Sequence, residues 1–364
     1  MRQAIIVLLI LPFFFCRAYA EELPRQALNA FDAGRMKSGL NEEELEISGA
    51  LDSDSYDAGS ALSRLWHVLF EMLRANLRKE LGFALRLLTL IFLCGSARAA
   101  CPVDKIGGLI EICAVCAAAA LLVGNVHSLT SQTTNALYRL SDYSRAALPV
   151  VYTAAAASGA VNSAAARYAA SVLAFDVIMC LSQRAVIPLI YLSLSLSLTN
   201  AVFPNPILAA VEHFAKWMAK TAMAAASLAF TAYLGMSAVI TGSVDAAAIK
   251  TARSVISGAL PVVGGMISDA SSAVLSAAGV VRSCTGAFGL VSVCAICAGP
   301  FALLSVKSLV LKAVAAAAES VQIPRLQKLF SGVGNAAAML LGLLGSCAVM
   351  LFLSFAVGMK AVTA

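Results

Sequence analysis

The chain has 364 residues, of which 60% are apolar and 13% charged, and its mean hydropathy is +0.85. Soluble folds need more polar surface than this, so the composition excludes a water-soluble enzyme and describes a polytopic membrane protein. The formal charge of +6 hides an asymmetry: residues 21–60 carry ten acidic and three basic side chains, whereas the basic excess beyond them is scattered, with no clustered face for nucleic acid.

Residues 1–20 read as a secretory signal. Arg2 opens the segment, a short apolar core follows, and Ala18-Tyr19-Ala20 supplies the small-x-small cleavage site. The mature N-terminus is then extracytoplasmic. Residues 21–60 form an acidic external arm with too few apolar side chains for a core of its own, and the reading for them is a flexible segment. Over 61–80, Leu62, Leu65, Trp66, Leu69, Leu73 and Leu77 keep helical spacing, with Arg64, Glu71, Arg74 and Arg78 on the other side. That pattern suits an amphipathic helix lying in the outer interface, or one packed on the protein itself.

The membrane domain occupies residues 81–364. At about 20 residues per crossing, its apolar stretches allow roughly seven spans. The first runs over 82–97 and the second over 106–126; Arg98 and Lys105 between them mark a cytoplasmic loop. Glu111 lies near an end of the second span and is expected at the interface, and Lys307 and Lys312 are expected to snorkel.

An internal repeat organises this domain. Ala147-Leu148-Pro149-Val150-Val151 returns as Ala259-Leu260-Pro261-Val262-Val263, an offset of 112 residues. At the same offset Pro188, Leu192 and Ser193 match Pro300, Leu304 and Ser305. The halves cover about 105–216 and 217–328, with a final span over 333–357. Proline removes a backbone donor and interrupts a helix, and lipid cannot satisfy the groups this frees. The expectation is therefore an all-α membrane bundle with proline-broken segments that are buried or line a cavity. If each phrase forms a re-entrant hairpin the halves are inverted; if it crosses fully they are parallel.

The second half carries a resemblance. Thr251-Ala252-Arg253, Leu260-Pro261-Val262-Val263-Gly264-Gly265-Met266, Asp269-Ala270 and the Pro300 segment through Leu303 to Lys307 resemble the stage III sporulation protein AE family. The resemblance implies a component of the channel or secretion-like complex between mother cell and forespore in endospore-forming bacteria, placed in the mother-cell membrane around the forespore. It implies as partners the other stage III sporulation A-operon membrane proteins, a cytoplasmic ATPase and a forespore-side channel protein.

Asp176 is the most conspicuous single residue, because a carboxylate in an apolar span must face a bundle interior, a cation or water; Arg167, Arg184 and Arg282 are the cations considered for it. Asp269, after Gly264 and Gly265, suits a helix cap. Cys113-x-x-Cys116 and Cys294-x-x-Cys297 lie inside apolar runs, where thiols behave as small hydrophobes, and His67, His127 and His213 are dispersed. No metal, cofactor or catalytic set is therefore assigned, and no phosphate-binding loop or hydrolase motif is present. The expected role is a non-enzymatic membrane core of the sporulation channel, with Pro149 and Pro261 as its matched centre. The rival is an ion-coupled secondary transporter with inverted repeats, working through Asp176.

Overall fold

The structure is a computed structural model that describes residues 23–24, 36, 38–47, 55–56, 58–100, 104–157, 161–259 and 264–359. Side chains from 235 to 284 lie outside that description, as do residues 1–20, read above as the signal. The fold is all-helical apart from a two-residue antiparallel ladder in which β1 (Leu23–Pro24) pairs with β2 (Ser55–Tyr56). Helix α1 is short (Glu42–Ile47), and the long helices follow: α2 (Ala58–Ala100), α3 (Asp104–Ala157) and α4 (Val161–Leu181). A π-helical turn over Ser182–Val186 leads into α5 (Ile187–Val202), and α6 (Pro206–Ala259), α7 (Gly264–Ser320) and α8 (Pro324–Met359) complete the chain.

Five stretches among the described residues are long and apolar enough to cross a bilayer: 63–100, 106–157, 168–202, 285–320 and 324–358. This count leaves out side chains 235–284, and the apolar runs on either side of Arg184 join through the π-helical turn into one stretch, 168–202. The interfacial helix and first span form α2 without a break. The second span, the polar stretch after it and the first repeated phrase form α3. Charge spaced on one helix face does not end a helix; only a breaker or an unsatisfied terminus does.

The prolines behave differently from expectation. Pro149 and Pro300 sit inside helices that continue to Ala157 and Ser320, so the chain is not broken at either. Each leaves one carbonyl without its helical donor, a loss that dense packing tolerates. Around Pro149, Ala147, Leu148, Val150 and Val151 are all buried. At Pro188 the ladder adjusts instead, and the π-turn immediately precedes the proline. Pro261 lies outside the described residues, between the end of α6 and the start of α7.

Helices α7 and α8 form the centre. Within their most apolar windows 78% and 72% of residues are buried, against 22% for α2, which places α2 at the periphery. The exposed face of α2 carries Phe70, Leu77, Leu81, Leu85 and Phe92, a stripe suited to lipid. Contacts fix the directions. Glu80 meets Lys307 and Arg98 meets Gln322, so α2 runs with α7; Glu111 meets Arg325 and Tyr152 meets Ser354, so α3 runs with α8. Ser182 lies by Cys347 and Ser197 by Gly332, so α4 and α5 run against α8.

Short connections use standard chemistry. Asn205 accepts from Ile207 N–H at 2.9 Å with Pro206 at the first helical position of α6. The end of α7 is a Schellman turn: Ile323 N–H donates to Ala318 at 3.1 Å and Gln322 N–H to Glu319 at 2.9 Å, with Gln322 left-handed at φ 57°.

The described part of the arm, residues 36 and 38–47, packs on the bundle. Met36 and Leu40 are buried, and a Cβ at Gly39 would lie 3.3 Å from the Tyr143 ring. Met36 and Leu40 have joined an existing core instead of making one.

Helices in lipid associate by close packing, and small residues permit it. A Cβ at Gly332 would meet Ser197 Oγ at 1.8 Å and Ser197 Cβ at 2.9 Å, so α8 can approach α5 only with glycine there. Gly332→Ala is expected to destabilise the bundle by about 1–3 kcal/mol, seen as a lowered Tm in detergent, and Ser197→Gly should recover part of the loss.

Candidate functional site

The buried charged side chains among the described residues, Glu44, Glu111 and Lys307, and their partners form three layers along α3. The outermost layer ties the helix connections at one end. Arg325 N–H donates to Glu111 Oε1 at 3.1 Å, and Arg325 Nε lies 3.8 Å from Glu111 Oε2. Residue 323 precedes α8 and is Ile, which cannot cap a helix, so Glu111 of α3 supplies the acceptor from another element. Arg98 donates to the Gln322 carbonyl at 3.1 Å and Arg325 to the Val202 carbonyl at 3.4 Å. Glu111 is therefore a buried cap, drawn in by the free amide at the start of α8.

The middle layer is built on Lys307, which is only 5% exposed. Its ammonium donates to Asn125 Oδ1 at 3.2 Å and lies 3.6 Å from Glu80 Oε1, joining α7, α3 and α2. Lys307 thus does not snorkel. It lies 13 residues before the end of α7, about 20 Å along the helix, with its ammonium held inside the bundle by Asn125 and Glu80. Lys312, one turn nearer that end, is exposed.

The third layer, farthest from the first, is a cavity of about 350 Å³ lined by Glu44 of α1, Met72 of α2, Gln132, Asn135 and Arg139 of α3, and Pro300 of α7. Gln132, Asn135 and Arg139 share one face of α3 by their spacing. Glu44, 6% exposed, pairs with Arg139 and also accepts from Asn41 N–H at 2.9 Å, the reciprocal half of a capping box.

Of the residues singled out in the sequence, Arg98, Glu111, Lys307 and Pro300 are gathered here, and Asp176 and Pro149 are not. Asp176 pairs with Arg145 of α3 at 3.2 Å in a half-exposed position; sequence proximity and the repeat had pointed to other arginines. Pro149 belongs to a packing knot in which Tyr152 donates to the Ser354 carbonyl at 3.1 Å and lies 2.8 Å from Ser171 Oγ. Gly264, Gly265 and Asp269 fall in the first turns of α7, with their side chains outside the described residues. Among the described residues no group of three or more metal-ligating side chains gathers, and Cys94, Cys113, Cys116, Cys180, Cys294, Cys297 and Cys347 are free thiols.

Glu80, Asn125, Arg139 and Glu44 were missed because each lies at the edge of a polar stretch and looks solvated on its own. The one available signal was Lys307, a cation with apolar residues on both sides that requires a counter-ion. Glu80→Leu, which strands that cation, is expected to cost about 3–5 kcal/mol in denaturant unfolding of the detergent-solubilised protein. Adding Lys307→Met should recover most of it.

Comparison with known proteins follows this geometry. A family model described as stage III sporulation protein AE matches residues 48–362. The stage III sporulation protein AE of Bacillus subtilis (strain 168) is 27% identical over 192 residues, covering 52% of this chain and 47% of that protein. The aligned part thus spans about half the length of that relative. No solved structure matches. The family match runs from the end of the arm to the last helix, taking in all five apolar stretches, and the chain belongs to the stage III sporulation protein AE family.

Proposed function

We propose that this chain is the non-enzymatic membrane core of the channel or secretion-like complex that joins mother cell and forespore during endospore formation, embedded in the mother-cell membrane around the forespore. The observation that carries the reading is the family match over residues 48–362, which extends across the whole helical bundle. Its partners are the other membrane proteins of the stage III sporulation A operon, a cytoplasmic ATPase and a forespore-side channel protein.

Charge supports the orientation. Arg98, Lys105, Arg325 and Lys328 lie at the end where α2 meets α3 and α7 meets α8; the α3–α4 connection at the other end has no basic side chain over residues 146–166 but is flanked by Arg145 and Arg167. Basic residues favour the cytoplasmic side, which leaves the start of α2 and the arm outside.

Helix plan supports the duplication. Helices α3 and α6 each have 54 residues, and the first copy of the phrase lies near the end of α3 while the second begins at the last residue of α6. Pro188 and Pro300 then occupy the helical stretches that follow. Helices α3 and α6 run in the same direction, an arrangement that suits parallel halves and not an inverted, re-entrant pair. In this reading Pro149 and Pro261 are matched sites against which partner subunits dock.

Capture of the tagged chain from sporulating cells is expected to bring down the operon's other membrane proteins and the ATPase; capture without any of them refutes the reading. Pro149→Ala combined with Pro261→Ala is expected to impair assembly and late forespore development, and undisturbed assembly would remove the prolines from the docking role.

A further inference from the structure

The cavity beside Pro300 is larger than an anchoring ion pair requires. Met36 and Leu40 already bury apolar surface and hold the arm to the bundle. Yet Glu44, from a run of four glutamates over residues 42–46, is turned inward onto Arg139, next to about 350 Å³ of space. That volume is within the range of small-molecule sites. Besides Glu44, its polar lining comes from Arg139, Asn135 and Gln132 of α3, all capable of donating hydrogen bonds. Gln132 spends one such bond on Ser128 Oγ at 3.1 Å. A guanidinium flanked by amides is matched to a carboxylate, which it can bind through two parallel hydrogen bonds.

Exposure distinguishes the two partners. The Glu44 side chain is 8% exposed and the Arg139 side chain 38% exposed, so the carboxylate is enclosed while the cation is reachable from outside. An approaching anion therefore meets Arg139 first.

We propose that this cavity is a binding site for a small carboxylate, and that Glu44 of the acidic arm is its tethered competitor. In the structure described here the arm holds the site with its own carboxylate. A free carboxylate that takes over Arg139 displaces Glu44, and with it the capping box at Asn41 loses its fixed partner. Binding and arm release are then two sides of one coupling and must be reciprocal. The assignment does not depend on the assembly proposed above, because the purified chain alone tests it.

A competitor carried on the same chain acts at about millimolar effective concentration, so if the Glu44–Arg139 clip dissociates at about 0.1 mM its removal strengthens any ligand of Arg139 by about tenfold. The test is titration of succinate, with succinamide as the neutral control, into the full chain in nanodiscs. Glu44→Gln is expected to bind succinate at least tenfold more tightly than the parent chain and to ignore succinamide. Glu44→Gln with Arg139→Gln is expected to lose the binding. In the parent chain, saturating succinate is expected to increase protease cleavage of the arm, and Arg139→Lys, which keeps the charge, should retain part of that response. A peptide with the sequence of residues 41–47, titrated in parallel, separates sources: tighter binding of the peptide assigns the natural carboxylate to a protein segment, and tighter binding of succinate assigns it to a solute. Equal succinate affinity in the parent and Glu44→Gln chains, or binding that survives Arg139→Gln, would overturn the proposal and leave the pair as a structural clip.

Discussion

Helices α7 and α8 can pack as the centre of this bundle only because their backbones come close. A Cβ at Gly334 of α8 would lie 3.3 Å from Leu311 Cβ, and the Gly334 carbonyl accepts from Ser308 of α7 at 3.2 Å. In hydrocarbon there is no water to expel, so association depends on this contact density and on shared hydrogen bonds. The same condition recurs outward from the pair. Gly289 of α7 faces Phe355 of α8 within the pair itself, while Gly332 faces Ser197 of α5 and Gly358 faces Val151 of α3, and these two contacts set how near those helices lie. The high alanine and glycine content of the chain is thus the material of its seams.

Buried charge is then confined to places the seams leave open. Glu111, Lys307 and Glu44 each satisfy a partner on a different element: a free helix amide, a carboxylate and a guanidinium. Isolated ions at those depths would cost several kcal/mol each, so these contacts fix which helices neighbour one another and in what register. Apolar packing alone is less particular, since many alanine faces are interchangeable.

Much of this was legible in the sequence at the level of class and little at the level of partners. Composition gave the membrane bundle, and Arg98 with Lys105 marked one helix connection. Proline was misleading at Pro149 and Pro300 because its cost is local and tertiary packing absorbed it; only at Pro188 did the ladder rewind. Arg145 was not linked to Asp176 because the pairing spans 31 residues and depends on how α3 and α4 fold back. The polar cavity was invisible for the same reason: α1, α2, α3 and α7 each contribute to it, and no single stretch contains its pattern.

Helix α3 gives these separate sites a common frame. It carries Glu111, Asn125, Arg139, Arg145 and Tyr152 on one unbroken rod, with Pro149 beyond the first four. From Glu111 to Arg139 is 28 residues, about 42 Å at the rise of an α-helix. With no joint between them, a tilt of the rod that shifts Arg139 at the arm also shifts the carboxylate that caps α8 at the opposite end. The arm and the turns beside α8 are in this sense the two ends of one beam, and neither can be repositioned alone while α3 stays straight.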